Sequence, residues 1–230
     1  MRRSCVLALV VGVLLGHRDY GEAFDPVEKS VLELQLAMDR GQTTAAELVE
    51  FYLARIERLD RAGPRLNSIA ALNPAVRERA AALDHERREA GPRGPLHGIP
   101  VVVKDNYQTR GMPTEAGSRS LAGFTPAEDA ELVRRLRAAG AIILGKTNMH
   151  EFAYGIETVG SAFGVTRNPY DPTRNPGGSS GGTGAAVAAN FAVAGLGSDT
   201  CGSIRIPAAH NALVGLRGTQ GSSSRSGIIP

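Results

Sequence analysis

Residues 177–207 read GGSSGGTGAAVAANFAVAGLGSDTCGSIRIP, and three kinds of local structure follow one another along this stretch. Glycines flank two serines at its start, where they allow backbone conformations that other residues avoid. The small apolar residues 181–190 predict a tightly packed helix, and residues 191–197 predict a strand. A polar turn that contains glycine and serine comes next. Helix and strand alternate here as they do in α/β proteins.

The same alternation begins upstream, near residue 95. Residues 99–103 form a mostly β-branched apolar run that predicts a buried strand, and residues 141–144 predict another. A helix is expected between them at residues 129–139. Three more helices are expected before residue 95, at residues 27–39, from the capping-box pair Thr44 and Glu47 to a stop at Pro64, and at residues 74–89. Residues 154–178 and 200–230 are rich in glycine, proline and polar residues, and they predict loops.

Lys104 follows the apolar run at the predicted end of a strand. A lysine in that place can be drawn into the interior, where burial lowers its pKa and allows the neutral amine to act as a base. The alternative is a strand-end lysine whose long side chain reaches water. The position of Lys104 alone leaves both interpretations open.

Two serine-containing turns are the other candidates for chemistry. Ser179 and Ser180 stand between two pairs of glycines. Such a run is also typical of a flexible loop, but a linker would not lead directly into a packed helix. After the strand at residues 191–197, the backbone N–H groups of residues 198–203 can converge on one cavity, as in an oxyanion hole. Ser203 at its edge then has the place of an attacking hydroxyl, although an ordinary polar turn is the alternative.

Lys104, Ser179 and Ser203 are separated by 75 and 24 residues, and each belongs to a longer motif. The motifs are PLHGIPVVVKDN at residues 95–106, GGSSGG at residues 177–182 before the small-residue helix, and DTCGSIRIPA at residues 199–208. Together they resemble the amidase signature family, and the resemblance extends from about residue 31 to residue 230. It implies the α/β amidase signature fold, in which helices flank a mixed, buried β-sheet. Within that family the chain is similar to peptide amidases and to the A-type subunit of the amidotransferase.

The resemblance also implies a Ser-Ser-Lys triad that hydrolyses linear carboxylic amide C–N bonds through a seryl acyl-enzyme. In this triad Lys104 is the neutral base, Ser179 is the bridging serine after a cis peptide bond from Gly178, and Ser203 is the nucleophile. The matching oxyanion hole consists of the backbone N–H groups of Thr200, Cys201, Gly202 and Ser203. The matching supporting residues are Ser180, Asp199 and Arg205. The family often has glycine in place of Cys201, which leaves the shape of the pocket near the oxyanion hole open.

Two other motifs match in letters but not in context. Residues 140–147 read GAIILGKT, which is the pattern of a P-loop, but a helix is expected before the first glycine and the four middle residues form the predicted strand. Residues 177–181 match the nucleophile elbow of α/β-hydrolases, but residues 168–176 contain three prolines and predict no strand. Neither nucleotide binding nor an α/β-hydrolase function is therefore expected.

The composition is that of an ordinary globular protein and excludes several classes. Of the 230 residues, 42% are hydrophobic and 21% are charged, and the net charge is only +3. The basic residues lie in short helical stretches with acids nearby, so no nucleic-acid-binding surface is predicted. The five histidines and two cysteines lack the spacing of metal ligands, and neither a metal nor a cofactor is expected.

Residues 1–23 have the pattern of a secretory signal peptide. Arg2 and Arg3 precede a short apolar run at residues 5–16, and residues 21–23 offer small residues at the spacing that a signal peptidase needs. The run is too short to span a bilayer, so no stable membrane span is expected in the mature chain. The expected location is secreted or periplasmic, or cytoplasmic if the signal peptide is misassigned.

Residues 24–230 are expected to form the N-terminal and central part of an amidase signature domain. Because that domain is usually considerably longer, we expect its C-terminal part to be missing. The expected substrate is a small-molecule amide or a peptide amide, and the oligomeric state is left open. Two alternatives remain beside amide hydrolysis: an A-type amidotransferase component that releases ammonia from glutamine, and an inactive, truncated binding module.

Overall fold

The computed structural model describes residues 24–230, and the predicted signal peptide at residues 1–23 lies outside the described residues. The α-helices of the described part are α1 (Val31–Asp39), α2 (Ala45–Ile56), α3 (Val76–Ala90), α4 (Glu131–Ala138), α5 (Gly181–Ala188) and α6 (Arg205–His210). The strands are β1 (Ile69–Leu72), β2 (Pro100–Lys104), β3 (Ile142–Thr147), β4 (Val159–Gly160), β5 (Gly164–Val165) and β6 (Ala194–Leu196). In this part of the chain no helix has the length and apolar character needed to cross a bilayer.

Four strands form one mixed sheet in the order β1, β3, β2, β6. β2 pairs in parallel with both β3 and β6, whereas β1 pairs antiparallel with β3. Because parallel strands run in the same direction, the carboxyl ends of β2, β3 and β6 meet at one edge of the sheet. Lys104 lies at this edge, opposite Thr147 of β3. The predicted α/β class with a mixed sheet and flanking helices is confirmed, and β4 and β5 form a separate two-stranded ribbon.

The first two helices begin at capping boxes. At the start of α2, the hydroxyl of Thr44 accepts a hydrogen bond from the N–H of Glu47, whose carboxylate accepts one from the N–H of Thr44. The N–H groups of Ala45 and Ala46 donate to the carboxylate of Asp84, so α3 supplies a second cap for α2. A cap of this kind stabilises a helix by about 1 kcal/mol, because it satisfies N–H groups that have no intrahelical partner.

Helix α5 packs closely against the sheet because its residues are small, as the sequence predicts. A Cβ atom at Gly182 would lie only 2.1 Å from the carbonyl oxygen of Asn148. On β6, a Cβ atom at Gly195 would lie 2.5 Å from Cγ2 of Thr183. This close approach is what places Ser179, two residues before α5, in contact with Lys104.

The core lies between the sheet and helices α2 and α3. Its fully buried side chains include Leu48, Tyr52, Leu83, Val102 and Ile143. Burial of one such apolar side chain contributes about 1.5–3 kcal/mol to folding, since its surface is removed from water. The strand that carries Lys104 is therefore anchored in the hydrophobic core.

Several boundaries differ from the sequence-based predictions. α1 begins at Val31 and not at residue 27, because Ser30 is its N-cap. β3 continues beyond residue 144 to Thr147, because its last residues pair with β1 on one side and with β2 on the other. The strand expected at residues 191–197 shortens to β6, and α2 gives way after Ile56 to a π-helical turn.

Four of the named strands and helices were not predicted: the short strands β4 and β5 lie in residues 154–178, which were expected to form a loop, and β1 and α6 were not expected either. β1 has the sequence IAAL and lacks the alternation of a half-buried strand, so its pairing with β3 is decided by tertiary contacts. α6 interrupts the region 200–230 that was expected to be irregular. Pro207 lies in its first turn, where a missing N–H costs no hydrogen bond.

Candidate active site

Lys104 is the last residue of β2, and its side chain is completely buried. Its Nζ atom lies 2.7 Å from Oγ of Ser179 and 2.8 Å from Oγ of Ser198. The alternative in which this lysine reaches water is thereby excluded. Two hydroxyl oxygens, one before α5 and one after β6, contact the same amine.

Burial changes the acid–base behaviour of this amine. Removal from water disfavours the charged form and lowers the pKa of Lys104 to about 7, and the negative charge of Asp199 opposes that shift only in part. A substantial fraction of Lys104 is therefore neutral at neutral pH. A neutral amine at hydrogen-bond distance from a hydroxyl can remove its proton.

Ser179 is buried and follows a cis peptide bond between Gly178 and Ser179. Its carbonyl oxygen accepts a hydrogen bond from the N–H of His150 at 3.0 Å. A Cβ atom at Gly178 would lie 2.6 Å from the backbone of Ile156, so the turn fits only a glycine there. The loop from β3 to α5 thus encloses this serine on several sides.

Ser203 lies in the turn before α6, and only 7% of its surface is exposed. Its carbonyl oxygen accepts a hydrogen bond from the N–H of Ser180 at 3.2 Å, which joins the two serine-containing turns. Among the described residues, no hydrogen bond links the Ser203 hydroxyl to Ser179. The structure therefore brings Lys104 and Ser179 into direct contact and attaches Ser203 to them through the backbone.

Asp199 organises the turn that carries Ser203. Its carboxylate is almost fully buried and accepts hydrogen bonds from the N–H groups of Gly202 at 2.8 Å and Ile204 at 3.1 Å. The guanidinium of Arg205 donates to the same carboxylate at 3.1 Å. Burial by itself would raise the pKa of Asp199, but the hydrogen bonds from Arg205, Ile204 and Gly202 hold it well below its usual range. The carboxylate is therefore ionised and fixes the turn at neutral pH.

The predicted oxyanion hole needs a correction at one position. The N–H of Gly202 donates to Asp199 and is not free to bind a substrate oxygen. Within the described part of the chain, the N–H groups of Thr200, Cys201 and Ser203 have no protein acceptor. Because the buried carboxylate takes the fourth donor, only three of the predicted N–H groups remain available.

Ser180, one of the expected supporting residues, contacts the chain after β6. Its hydroxyl donates to the carbonyl oxygen of Ser198 at 3.2 Å and accepts from the N–H of Ser198 at 3.3 Å. In the described residues it makes no hydrogen bond to a hydroxyl of the proposed triad. Ser180 therefore holds the end of β6 beside the start of α5 and supports the site through the backbone.

Two residues at the site were not singled out from the sequence. Ser198 contacts Lys104, and the side-chain amide of Asn106 donates to the same Ser198 oxygen at 3.2 Å. Asn106 is the last residue of the motif at residues 95–106, two residues after Lys104, and Ser198 directly precedes the motif at residues 199–208, five residues before Ser203. Their nearness in sequence to Lys104 and Ser203 was the one sign of a role that the sequence offered. Their contact with each other depends on the pairing of β2 with β6, which the sequence does not show.

A second buried lysine lies close by. Lys146 in β3 pairs with Asp105 at 3.3 Å and donates to the hydroxyl of Thr114 at 2.9 Å. Burial lowers its pKa to about 8, and the charge of Asp105 opposes this shift. Lys146 belongs to the P-loop-like residues 140–147, and its place inside a strand agrees with the rejection of that motif. The pair fastens the loop after β2 to β3.

Cys201 is exposed and is a free thiol. It lies in the turn between Asp199 and Ser203. Across residues 24–230, no group of three acidic, histidine or cysteine side chains is arranged to hold a metal ion.

Comparison with known proteins gives concordant matches. A family model described as Amidase matches residues 47–230. The A-type subunit of Glutamyl-tRNA(Gln) amidotransferase from Zea mays is 48% identical over 207 residues, which are 89% of this chain and 38% of that protein. The corresponding protein of Thermus thermophilus is 47% identical over 197 residues, which are 86% of this chain and 40% of that protein.

Solved structures resemble the chain equally well. Native peptide amidase from Stenotrophomonas maltophilia has a TM-score of 0.87 and 50% identity, covering 89% of this chain and 43% of that one. The A-type subunit of Glutamyl-tRNA(Gln) amidotransferase from Thermotoga maritima has a TM-score of 0.74 and 38% identity, covering 88% of this chain and 41% of that one. The chain thus spans about two fifths of the length of the proteins it matches.

Proposed function

The chain belongs to the amidase family, and we propose that it carries the catalytic groups for hydrolysis of carboxylic amide C–N bonds. The observation that supports this most directly is the contact of 2.7 Å between Nζ of the buried Lys104 and Oγ of Ser179. Since the pKa of this lysine is lowered to about 7, the amine is a usable base at neutral pH.

In the proposed first step, the neutral amine of Lys104 accepts a proton from Ser179, which accepts one from Ser203. The Ser203 oxygen attacks the amide carbonyl carbon, and the resulting oxyanion is stabilised by the N–H groups that have no protein acceptor. The relay requires the Ser203 hydroxyl to turn toward Ser179 when substrate binds, which is common for catalytic hydrogen bonds in unliganded enzymes.

In the following steps, the relay runs in reverse. The proton held by Lys104 passes through Ser179 to the leaving nitrogen, the C–N bond breaks, and an amine departs. Water then attacks the ester carbon while the relay accepts its proton. The relay returns this proton to the Ser203 oxygen as the ester C–O bond breaks and the carboxylic acid leaves. Each step uses only groups of the site and one water molecule, so the proton balance closes.

We propose a small-molecule amide or a peptide amide as substrate. The peptide amidase with 50% identity has also been solved with the competitive inhibitor chymostatin. In the present chain, the buried amine of Lys104 contacts Ser179 close to the partly exposed turn that carries Ser203. Turnover of a peptide C-terminal amide, measured as released ammonia, tests this proposal. Ser203→Ala should abolish turnover, whereas Ser223→Ala, at an exposed serine, should not change it.

A second candidate is glutamine-dependent transfer. It is favoured by relatives described as A-type subunits of Glutamyl-tRNA(Gln) amidotransferase, which are 46–49% identical to this chain. A protein of this kind would release ammonia from glutamine and act together with partner subunits. Glutamine turnover that exceeds peptide amide turnover, and that rises on addition of partner subunits from a relative, would favour transfer. The opposite preference would favour hydrolysis.

Secretion is also a proposal, based on the sequence of residues 1–23 alone. Fractionation of expressing cells followed by N-terminal sequencing tests it. A periplasmic or secreted chain that begins near residue 24 would support it. A cytoplasmic chain with residues 1–23 intact would contradict it and would favour the amidotransferase alternative.

A further inference from the structure

The amine of Lys104 has a second partner beside Ser179. Its Nζ atom lies 2.8 Å from Oγ of Ser198, which follows β6 at the neighbouring strand end. The side-chain amide of Asn106 donates to the same oxygen at 3.2 Å. Asn106 is 1% exposed, so this chain of contacts runs from the buried end of β2 to the reacting groups.

The orientation of the Asn106 amide is determined by its other contact. Nδ2 also donates to the backbone carbonyl oxygen of Ile229 at 2.8 Å. The backbone N–H of Ile229 in turn donates to the backbone carbonyl oxygen of Asn106 at 2.9 Å. An exchanged amide would place Oδ1 against the Ile229 oxygen, and two acceptors would face each other. Both hydrogens of Nδ2 are thus assigned, one to Ile229 and one to Ser198.

This arrangement makes Ser198 an acceptor toward Lys104. A hydroxyl oxygen has two lone pairs, and here one faces Asn106 and the other faces the amine. A neutral amine has two hydrogens and one lone pair, and it removes a proton from Ser179 only with the lone pair directed at that hydroxyl. When Ser198 holds one N–H, the amino group no longer rotates freely, and its lone pair can stay aligned with Ser179.

The side-chain carbonyl oxygen of Asn106 supports a role beyond packing. Oδ1 of Asn106 is buried and has no hydrogen-bond partner among the described residues. A buried acceptor without a partner weakens folding, so an apolar residue of similar size would serve better if Asn106 only filled space.

We propose that Asn106 and Ser198 are positioning residues, in which Asn106 holds the Ser198 oxygen and this oxygen holds the Lys104 amine in line with Ser179. The proposal rests on the proposed function of Lys104 as the base. It adds a second hydroxyl and an amide to the groups on which the acylation rate depends.

The ionisable groups around the amine are left in place by the test variants. Asp199 follows β6 and forms ion pairs with Arg205 and Arg217. Asp105 and Lys146 form a buried ion pair near the ends of β2 and β3. Among the described residues, none of these side chains is hydrogen-bonded to Asn106 or to the Ser198 hydroxyl. A change in the titration of Lys104 in an Asn106 variant can therefore be assigned to the lost contact.

The experiment measures two quantities on the whole chain. The first is the titration of Lys104 by NMR with lysine labelled at ¹³Cε, which is practical because the chain has only three lysines, Lys29, Lys104 and Lys146. The second is the rate at which a fluorophosphonate phosphonylates Ser203, with loss of fluoride, across pH 5–9. Ser198→Ala, Ser198→Thr, Asn106→Ala and the double variant Ser198→Ala with Asn106→Ala are compared.

We expect Ser198→Ala to lower the titration midpoint of Lys104, because the charged lysine loses an acceptor, and to slow phosphonylation of Ser203 about 10-fold through lost alignment. Asn106→Ala should shift both quantities in the same direction by less. Ser198→Thr should keep the Lys104 midpoint and the reaction rate of Ser203 close to those of the unmodified chain, since threonine keeps the hydroxyl. The double variant should behave like Ser198→Ala alone, because Asn106 acts through Ser198.

Asn73→Ala is the matched control. Asn73 is a buried asparagine that donates to the Ile143 carbonyl and does not contact Lys104, so its loss should leave the Lys104 midpoint unchanged. Additive losses in the double variant, or a Lys104 midpoint that is the same in all variants, would overturn the proposal. If Asn106→Ala does not fold, the comparison of Ser198→Ala with Ser198→Thr decides alone. Absence of any Ser203 adduct in the unmodified chain would count against the proposed hydrolysis, while the lysine titration would still decide the positioning roles.

Discussion

At the scale of single residues, the site depends on the state of one amine. Lys104 is held without contact with water by β2, while Ser179, Ser198 and Asp199 surround its end. Desolvation favours the neutral form and the nearby carboxylate favours the charged form. Desolvation is the larger effect, which keeps the pKa of Lys104 near 7 and makes the lysine a base.

The first prediction concerns the pH dependence of the reaction between Ser203 and a fluorophosphonate. The rate at which a fluorophosphonate modifies Ser203 should rise with pH through about 7 and then level off, because only the neutral form of Lys104 accepts a proton. Rates measured over pH 5–9 test this. A midpoint close to 10.5, the ordinary lysine value, would mean that Lys104 is not desolvated or is not the base.

The second prediction concerns stability. The pKa of Lys104 falls from 10.5 in the unfolded chain to about 7 in the folded one, so between these pH values the unfolded state binds one more proton. The penalty for burying this lysine is complete below pH 7 and disappears as the pH rises toward 10.5. The unfolding free energy of Lys104→Met should therefore exceed that of the unmodified chain at pH 6, and the difference should shrink by pH 10. A difference that is independent of pH, measured by denaturant titration, would contradict this.

At the scale of helices and strands, the sequence predicts what local pattern encodes. The apolar run before Lys104, the capping box at Thr44 and the small residues of α5 each determine their element through nearest neighbours. β1 and α6 could not be predicted in this way, because β1 becomes a strand only by pairing with β3 and α6 follows a turn fixed by Asp199. Tertiary contacts outweigh propensity in such short segments.

The site residues likewise divide into those that local motifs identify and those that only tertiary contacts reveal. The motifs and their resemblance to a family identified Lys104, Ser179 and Ser203 as candidates. They did not identify Ser198 as a partner of Lys104 or Asn106 as a partner of Ser198. They also did not show that the N–H of Gly202 donates to Asp199. The contacts of Ser198 with Lys104 and Asn106 join residues that are 94 and 92 positions apart, where the ends of β2 and β6 meet. Spacing along the sequence gives no indication of these two contacts.

The third prediction tests the close packing of α5. Gly182→Ala should destabilise the chain by about 1–3 kcal/mol, because its Cβ would lie 2.1 Å from a backbone oxygen that cannot move aside. It should also slow the reaction of Ser203 with a fluorophosphonate, since Ser179 lies only two residues before α5. Gly94→Ala is the matched control, because a Cβ there meets no atom within 4 Å. Equal unfolding midpoints for the two variants would show that α5 is not packed in this way.

At the scale of the whole molecule, one side of the sheet remains open. β6 forms the edge of the sheet in the described residues, and a groove of about 560 Å³ runs beside it. Val187, Val193, Leu213 and Leu216 contribute apolar walls to this groove. Part of this apolar surface is exposed in the described residues, with Val214 and Leu216 among its most exposed side chains.

The fourth prediction concerns this surface. Val214 is fully exposed and Leu216 is 84% exposed, so their replacement by Thr and Gln should change the unfolding free energy by no more than about 0.5 kcal/mol. The same double variant should reduce concentration-dependent association, because a contiguous exposed apolar area is removed. Light scattering and denaturant titration check the two parts. Leu48→Gln, in the core, is the contrast and should unfold the chain at far lower denaturant. A loss of stability in the double variant comparable to that of Leu48→Gln would contradict the open groove.

The most direct test of the central claim is the identification of the residue that a fluorophosphonate modifies. The purified chain is treated with the reagent, and the adduct is located by mass spectrometry in the unmodified chain, in Lys104→Ala and in Ser223→Ala. The account predicts a single adduct on Ser203 that is retained in Ser223→Ala and lost in Lys104→Ala. An adduct on another residue, an adduct on Ser203 that forms at the same rate without Lys104, or no adduct on a chain that circular dichroism shows to be folded would contradict it.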